Sequence, residues 1–186
     1  MSKKYKFNDN NQLYFVTFTI TNWVDLFIRN EYKEIVLDSI RYCQKNKDLD
    51  VYGWCMMTSH IHLIVGSRGK ALSDIMRDLK RHSSEMLHIA IAKNTKESRR
   101  EWLLEMFTKE DEKHNNKFQL WQPESHPIAL PTAKIAHQKL EYIHYNPVEA
   151  GFVKYTTAWL YSSAIDYNNG KGLLDIILLD PMIVVI

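Results

Sequence analysis

Residues 49–66 read LDVYGWCMMTSHIHLIVG, and this stretch decides the fold. It consists of two apolar runs that are separated by the polar pair Thr58-Ser59. Two strand-like runs joined by two small polar residues predict an antiparallel hairpin. Side chains alternate between the two faces of a strand, so we expect His60 and His62 on one face. The apolar residues that alternate with them then face the other way, toward a core.

The segments around this hairpin predict an α+β fold. We expect strands or extended pieces over 12–20, 49–57, 60–66, 118–121 and 127–130, and helices over 30–43, 71–93, 101–107 and 133–145. This order predicts a ferredoxin-like plait, a mainly antiparallel sheet of four or five strands with helices packed on one face. The last helix is expected to stop at Asn146-Pro147, because proline disfavours helical geometry in the residue before it.

Length and composition indicate one ordinary globular domain. With 186 residues, we expect a single domain over 1–170, with a charge-rich insertion at 94–117 and an apolar tail at 171–186. The net charge of +2 is small, so any nucleic-acid-binding surface must be local. Cys43 and Cys55 fit reduced, buried thiols better than a disulfide or zinc framework. Neither a secretory signal nor a membrane span is predicted, so we expect a cytoplasmic protein.

The histidine pair is a candidate metal site. Two imidazoles on one strand face, about 7 Å apart along the backbone, can chelate one divalent ion. The His-x-His pattern is weak by itself, because the chain has eight histidines. The alternative is that His60 and His62 are ordinary strand residues, one buried and hydrogen-bonded and the other at the surface.

A tyrosine and an asparagine share one face of the last predicted helix. Tyr142 and Asn146 are four residues apart, and Gln138 extends their face by one turn. They are a candidate nucleophile and a candidate metal ligand, although a phenol with its ordinary pKa of about 10 needs activation by a cation or a base. The alternative is that Tyr142 packs at the edge of the core and that Asn146 caps the helix.

A basic stripe lies on the helix predicted over 71–93. Arg77, Lys80, Arg81 and Ser84 fall at positions i, i+3, i+4 and i+7, and together they form a candidate DNA-binding surface that can contact phosphates. Between residues 70 and 100, eight basic residues outnumber four acidic ones. The alternative is an ordinary solvated helix face.

Taken together, these stretches resemble a known family. Residues 56–64, MMTSHIHLI, resemble the HUH motif (histidine, bulky apolar residue, histidine) of single-tyrosine transposases. Residues 142–151, YIHYNPVEAG, resemble the tyrosine-helix signature of the REP-associated tyrosine transposase branch. Residues 72–84, Trp121-Gln122 and residues 159–163 fit the same pattern. Two such motifs in this order and at this separation are specific together, although neither is specific alone.

The resemblance implies a metal-dependent single-stranded DNA endonuclease and transposase. It implies that His60, His62 and Asn146 bind Mg²⁺ or Mn²⁺ and that Tyr142 attacks the scissile phosphate to form a covalent 5′-phosphotyrosine. Single-stranded or hairpin DNA is the implied partner, and a homodimer is compatible with the resemblance. Two alternatives remain: a non-catalytic nucleic-acid-binding module on the same fold, and a metal-dependent hydrolase that uses a metal-bound water.

Overall fold

A computed structural model of the chain describes Phe7, Asp9 and residues 11–114 and 118–180, with residues 109–114 described by their backbone alone. The strands are β1 (Leu13–Thr19), β2 (Leu49–Met56), β3 (His60–Ser67) and β4 (Ile128–Leu130). They form one antiparallel sheet in the order β2-β3-β1-β4, which places β1 and β3 at its centre. This topology confirms the predicted ferredoxin-like plait.

The described residues contain four α-helices. They are α1 (Asn30–Asn46), α2 (Leu72–Lys93), α3 (Arg100–His114) and α4 (Ala133–Glu149). The main core lies between α1, α2 and one face of the sheet. The prediction that the helices cover one face is wrong, because α4 packs on the opposite face. There Phe15 and Ile64 of the central strands contact a second apolar cluster that includes Leu140 and Ile143.

Helix α4 is longer than the sequence predicts. It continues through Asn146 and Pro147 to Glu149, so the expected stop before the proline is wrong. A proline inside a helix removes one hydrogen bond, but Pro147 is buried and the next turn is formed, with the Ala150 N–H donating to the Asn146 carbonyl at 2.9 Å. The helix ends before Gly151, whose φ of 75° is typical of a helix C-terminus.

The remaining segments pack around this frame. The predicted insertion contains α3, whose Leu103 and Phe107 are buried, and residues 115–117 lie outside the described residues. Residues 118–121 form a single bridge between Ile20 and Trp121 in place of the expected strand. In the predicted tail, the Ile177 N–H donates to the Val51 carbonyl at 3.0 Å, and 181–186 lie outside the described residues. No helix in the described part of the chain is long and apolar enough to cross a membrane.

Candidate active site

The histidine pair lies at the centre of the sheet, on the face that α4 covers. Strand β3 carries both residues, and the register pairs His60 with Thr19 and His62 with Thr17 of β1. The two imidazole centroids are 4.7 Å apart, and their planes are inclined by 72°. The structure therefore brings the two predicted ligands together, while the alternating residues Ile61, Leu63 and Val65 lie in the main core.

Burial keeps both imidazoles neutral. Burial, together with coulombic repulsion from His60 and Lys139, lowers the pKa of His62 to about 3. Burial also lowers the pKa of His60, whose Nδ1 lies 3.2 Å from Oγ of Ser59. Nδ1 of His62 is hydrogen-bonded to Oγ1 of Thr17 at 2.8 Å, but its Nε2 is buried and has no hydrogen-bond partner. A neutral imidazole with an unused ring nitrogen is suited to bind a metal.

Helix α4 places Tyr142 beside the histidines of the same chain. The ring centroid of Tyr142 lies 5.5 Å from that of His62 and 6.1 Å from that of Phe15. Phe15 in turn stacks on His62 with a centroid distance of 5.3 Å. The side chain of Tyr142 is 46% exposed, so one side of the ring is packed and the other is open to solvent. One chain is thus sufficient to bring this tyrosine to the histidine pair.

Lys139 is a charged residue of this site that the sequence reasoning missed. Its Nζ lies 5.3 Å from the ring centroid of Tyr142 and 4.8 Å from that of Phe15. A cation at this position attracts the negatively charged phosphates of a nucleic-acid backbone. The sequence does contain a signal for this contact: Lys139 and Tyr142 are three apart, and residues three apart in a helix share a face.

Asn146 follows Tyr142 by one helical turn, and its Nδ2 is buried without a hydrogen-bond partner. A half-turn of the amide exchanges nitrogen and oxygen, so the carbonyl oxygen can take the same position. The described residues contain no group of three His, Cys, Asp or Glu side chains that could hold a metal ion. A metal at the histidine pair therefore needs a ligand of another type, and an amide oxygen is one that Mg²⁺ and Mn²⁺ accept.

Two buried hydrogen bonds help to hold α4 on the sheet. Nε2 of His144 lies 2.8 Å from Oγ of Ser163, and the same oxygen accepts a hydrogen bond from the Trp54 N–H of β2 at 2.9 Å. Burial lowers the pKa of His144 to about 4, so the ring stays neutral. His144 therefore belongs to the packing between helix and sheet, although it stands two residues after Tyr142 in the sequence.

The predicted basic stripe lines a separate surface. An open cavity of about 710 Å³ is lined by the four residues of the stripe, Arg77, Lys80, Arg81 and Ser84. His88 of the same helix also lines this cavity. The two arginine side chains are 66% and 67% exposed and form ion pairs with aspartates of the same helix. Because α2 packs on the sheet face opposite the histidine pair, the stripe and the histidines do not share a cavity.

Lys80 differs from the two arginines. Its Nζ donates hydrogen bonds to the carbonyl of Gln122 at 2.6 Å, to that of Pro123 at 3.4 Å and to Oγ of Ser125 at 3.2 Å. Burial lowers the pKa of this lysine to about 8. The ammonium group thus connects the loop that follows Trp121 to α2, a structural role that the spacing in the sequence did not predict.

Comparison with known proteins places these residues in a family. The sequence model of a family described as IS200-like transposase matches residues 10–108, more than half of the chain. The chain belongs to the IS200-like transposase family. The matched residues include the histidine pair and end before α4, so the assignment does not depend on Tyr142. No curated protein matches this transposase.

Among solved structures, this transposase is similar to a REP-associated tyrosine transposase bound to a REP hairpin. The two share 17% sequence identity with a TM-score of 0.65, and the similarity covers 97% of this chain and 94% of the other. At this identity the likeness shows a shared fold. A structure from Deinococcus radiodurans has 16% sequence identity to this chain and a TM-score of 0.42. The similarity covers 70% of this chain and 87% of the other, and it is too distant to support an argument.

Proposed function

We propose that this transposase is a metal-dependent single-stranded DNA endonuclease of the REP-associated branch, with Tyr142 as its nucleophile. The observation that supports this most directly is the 5.5 Å distance between the ring centroids of Tyr142 and His62 within one chain. A tyrosine beside two neutral imidazoles, with a lysine over its ring, is an arrangement suited to attack on a phosphodiester. A binding module would not need a polar site of this composition.

His60, His62 and Asn146 are the residues that would hold the metal. A bound Mg²⁺ or Mn²⁺ would polarise the scissile phosphate and would stabilise the charge that develops during the displacement. When Nδ1–H of His62 donates its hydrogen bond to Oγ1 of Thr17, the neutral ring keeps Nε2 unprotonated, and this buried nitrogen, which has no hydrogen-bond partner, would be available to a metal. The two imidazoles need not lose a proton before they bind, because burial lowers the pKa of both.

Tyr142 carries the covalent step. Its phenolic oxygen attacks the phosphorus, a Tyr–O–P bond forms, and the bond between phosphorus and the 3′ oxygen breaks. The phenolic proton leaves to solvent, which reaches the half-exposed ring, and the departing 3′ oxygen takes up a proton to become a hydroxyl. The product is a 5′-phosphotyrosine with a free 3′ end. Because tyrosine, and not water, replaces the 3′ oxygen on phosphorus, the product is again a phosphodiester, and a later strand transfer needs no nucleotide cofactor.

The cavity along α2 is proposed to bind the DNA backbone. Arg77 and Arg81 are exposed and can pair with phosphates, and Ser84 adds a hydroxyl donor. Its position on the other face of the sheet separates the surface that holds the DNA from the site that cleaves it. A DNA hairpin could bind with its stem in the cavity along α2 and with a single strand reaching Tyr142. The REP-associated tyrosine transposase of similar fold is bound to a REP hairpin.

A covalent-adduct assay tests the proposal. The protein is incubated with Mn²⁺ and a labelled library of hairpin oligonucleotides with randomised single-stranded flanks, and the products are separated on a denaturing gel. We expect the wild type to form a protein–DNA adduct, and Tyr142→Phe, His62→Ala and addition of EDTA to abolish it. Tyr145→Phe, at an exposed tyrosine on the same helix, is the matched control and should retain the adduct.

Other outcomes of this assay contradict specific parts of the proposal. An adduct in Tyr142→Phe means that another residue is the nucleophile. An adduct that forms at full rate in EDTA means that the reaction does not need a metal. Cleavage with no adduct at any time favours a hydrolase that uses a metal-bound water. Tight binding with neither cleavage nor adduct favours a non-catalytic binding module.

A further inference from the structure

Trp23 is an exposed aromatic residue at the edge of the candidate active site. Its side chain is 60% exposed, and Asn22 before it is exposed as well, whereas Thr21 and Val24 are buried. The indole contacts the imidazole of His60, with ring centroids 5.5 Å apart and planes inclined by 72°. What distinguishes this tryptophan from Trp102, which is 50% exposed, is its contact with a candidate metal ligand.

The backbone that carries this indole has an uncommon conformation. Asn22 and Trp23 both have a φ of 57°, in the left-handed region that residues with a side chain rarely adopt and bulky ones almost never. The Trp23 N–H donates to the Ile20 carbonyl at 2.9 Å, and the Ile20 N–H donates to the Ser59 carbonyl at 2.8 Å. Backbone hydrogen bonds therefore connect Trp23, through Ile20, to the turn that precedes His60.

We propose that Trp23 is a stacking platform for an unpaired nucleobase of the DNA strand next to the scissile phosphate. The proposal rests on the proposed function, because it assumes that the phosphate is held at His60 and His62. A base attached to that phosphate lies within reach of an aromatic ring that contacts His60. Stacking accepts any base, since every base has a π face, so Trp23 positions the strand without reading its sequence.

The fixed position of the indole supports this role over simple packing. A tryptophan that only filled a gap would be buried, whereas this one leaves most of its surface uncovered while it contacts His60. A strand held on one side of the histidines by Trp23 and attacked from the α4 side by Tyr142 would have its phosphate between the two rings. Trp23 would thereby help to align the phosphate for attack.

Photocrosslinking with a sequence-independent probe tests this inference. The probe is a 12-nucleotide strand of 5-iododeoxyuridine, which crosslinks to stacked aromatic residues, and all proteins carry Tyr142→Phe so that no adduct forms. We expect a crosslink at Trp23, found by mass spectrometry, and an affinity that falls roughly 5- to 100-fold in Trp23→Ala, since stacking contributes about 1–3 kcal/mol per base. Trp23→Phe should retain most of the affinity.

Two controls separate stacking from a disturbed site. Trp102→Ala removes an equally accessible tryptophan, 50% exposed on α3, and should leave the affinity unchanged. Binding of Mn²⁺ to Trp23→Ala, measured by calorimetry without DNA, should equal that of the parent protein. A loss of Mn²⁺ affinity equal to the loss of DNA affinity would show that Trp23 only supports His60 and would overturn the stacking role.

The outcomes also distinguish this inference from the proposed function. If wild-type protein forms the tyrosine adduct but Trp23 neither crosslinks nor affects affinity, the stacking role is wrong and the proposed function stands. If Trp23 crosslinks and Trp23→Ala binds weakly, but no adduct forms with wild-type protein, the stacking role stands and the proposed nuclease activity is wrong. Crosslinks confined to other residues, or none at all, overturn the stacking role.

Discussion

Oγ1 of Thr17 lies 2.8 Å from Nδ1 of His62, and the two residues face each other in the register of β1 and β3. This hydrogen bond orients the imidazole, whose Nε2 is buried without a hydrogen-bond partner. Strand β1 therefore fixes the orientation of the candidate ligand His62 through the side chain of Thr17.

Thr17→Val should weaken Mn²⁺ binding about 10- to 100-fold, because hydrogen bonds that orient a metal-binding histidine contribute that much to affinity. Valine has the same shape, so the fold should persist. Titration calorimetry measures the change, and Thr19→Val, which faces His60 in the same register, is the matched control. Equal losses in both variants would mean that the effect comes from the strand and not from the bond to His62.

Lys139→Met should slow adduct formation by about 10-fold or more, because it removes a cation that would stabilise the negative charge developing around the phosphate during attack. The rate with saturating DNA is the relevant measurement, since it excludes a loss of binding alone. Lys139→Arg should retain much of the rate, and Lys134→Met, at an exposed lysine of the same helix, should be unaffected. An unchanged rate in Lys139→Met would remove this lysine from the mechanism.

Arg77→Ala and Arg81→Ala should weaken binding to a DNA hairpin in a salt-dependent way. Each substitution that removes a phosphate contact is expected to reduce the slope of log affinity against log salt by roughly 1. The free energy of unfolding should change by less than about 0.5 kcal/mol, because exposed ion pairs contribute little to stability. Salt-dependent anisotropy titrations provide the test. A slope that does not change would place the DNA elsewhere.

Lys80→Met should show the opposite pattern and lower the stability. The hydrogen bonds from its Nζ to Gln122 and Ser125 would be lost, at a cost of about 1–3 kcal/mol. The free energy of unfolding in urea measures this cost. If Lys80→Met keeps its stability but loses DNA affinity like the arginine variants, the lysine is a phosphate contact and its bonds to the loop are incidental.

The ion cluster around Glu97 should make the stability sensitive to acid. Burial raises the pKa of Glu97, but hydrogen bonds from Arg99 and Arg29 outweigh this effect and lower the pKa from 4.5 to about 2. A carboxyl group with a lower pKa in the folded protein stabilises it above pH 4.5, and this contribution is lost as the pH falls toward 2. The difference in unfolding free energy between wild type and Glu97→Gln should therefore shrink over that range. If the difference in unfolding free energy stayed constant between pH 4.5 and 2, the lowered pKa of Glu97 would be wrong.

Local patterns are sufficient to predict the sheet and the position of its histidines. Alternation along β3 directs His60 and His62 to one face whatever the rest of the chain does, because the period of a strand is two. The spacing of Tyr142 and Asn146 is likewise a local property of a helix. For this reason the amino-acid sequence alone is enough to locate the main elements and the proposed ligands.

Features that depend on distant contacts do not follow from local patterns. The predicted end of α4 is too early. A residue before a proline disfavours helical geometry, but the packing of the buried Pro147 outweighs this preference. The second apolar face escapes prediction because Phe15 and Ile64 face away from the main core toward α4. The contact between Trp23 and His60 exists only because a left-handed turn brings the indole back over the sheet.

Strand β3 carries core residues and site residues in strict alternation, with Ile61 and Leu63 in the main core and His60 and His62 on the opposite face. Inserting or deleting one residue in the turn before it would exchange the two sets, forcing imidazoles into an apolar core and aliphatic side chains into the polar site. Such a change in length would destroy fold and chemistry at once. In related sequences, gains or losses of single residues should therefore be rare in this turn and more frequent elsewhere.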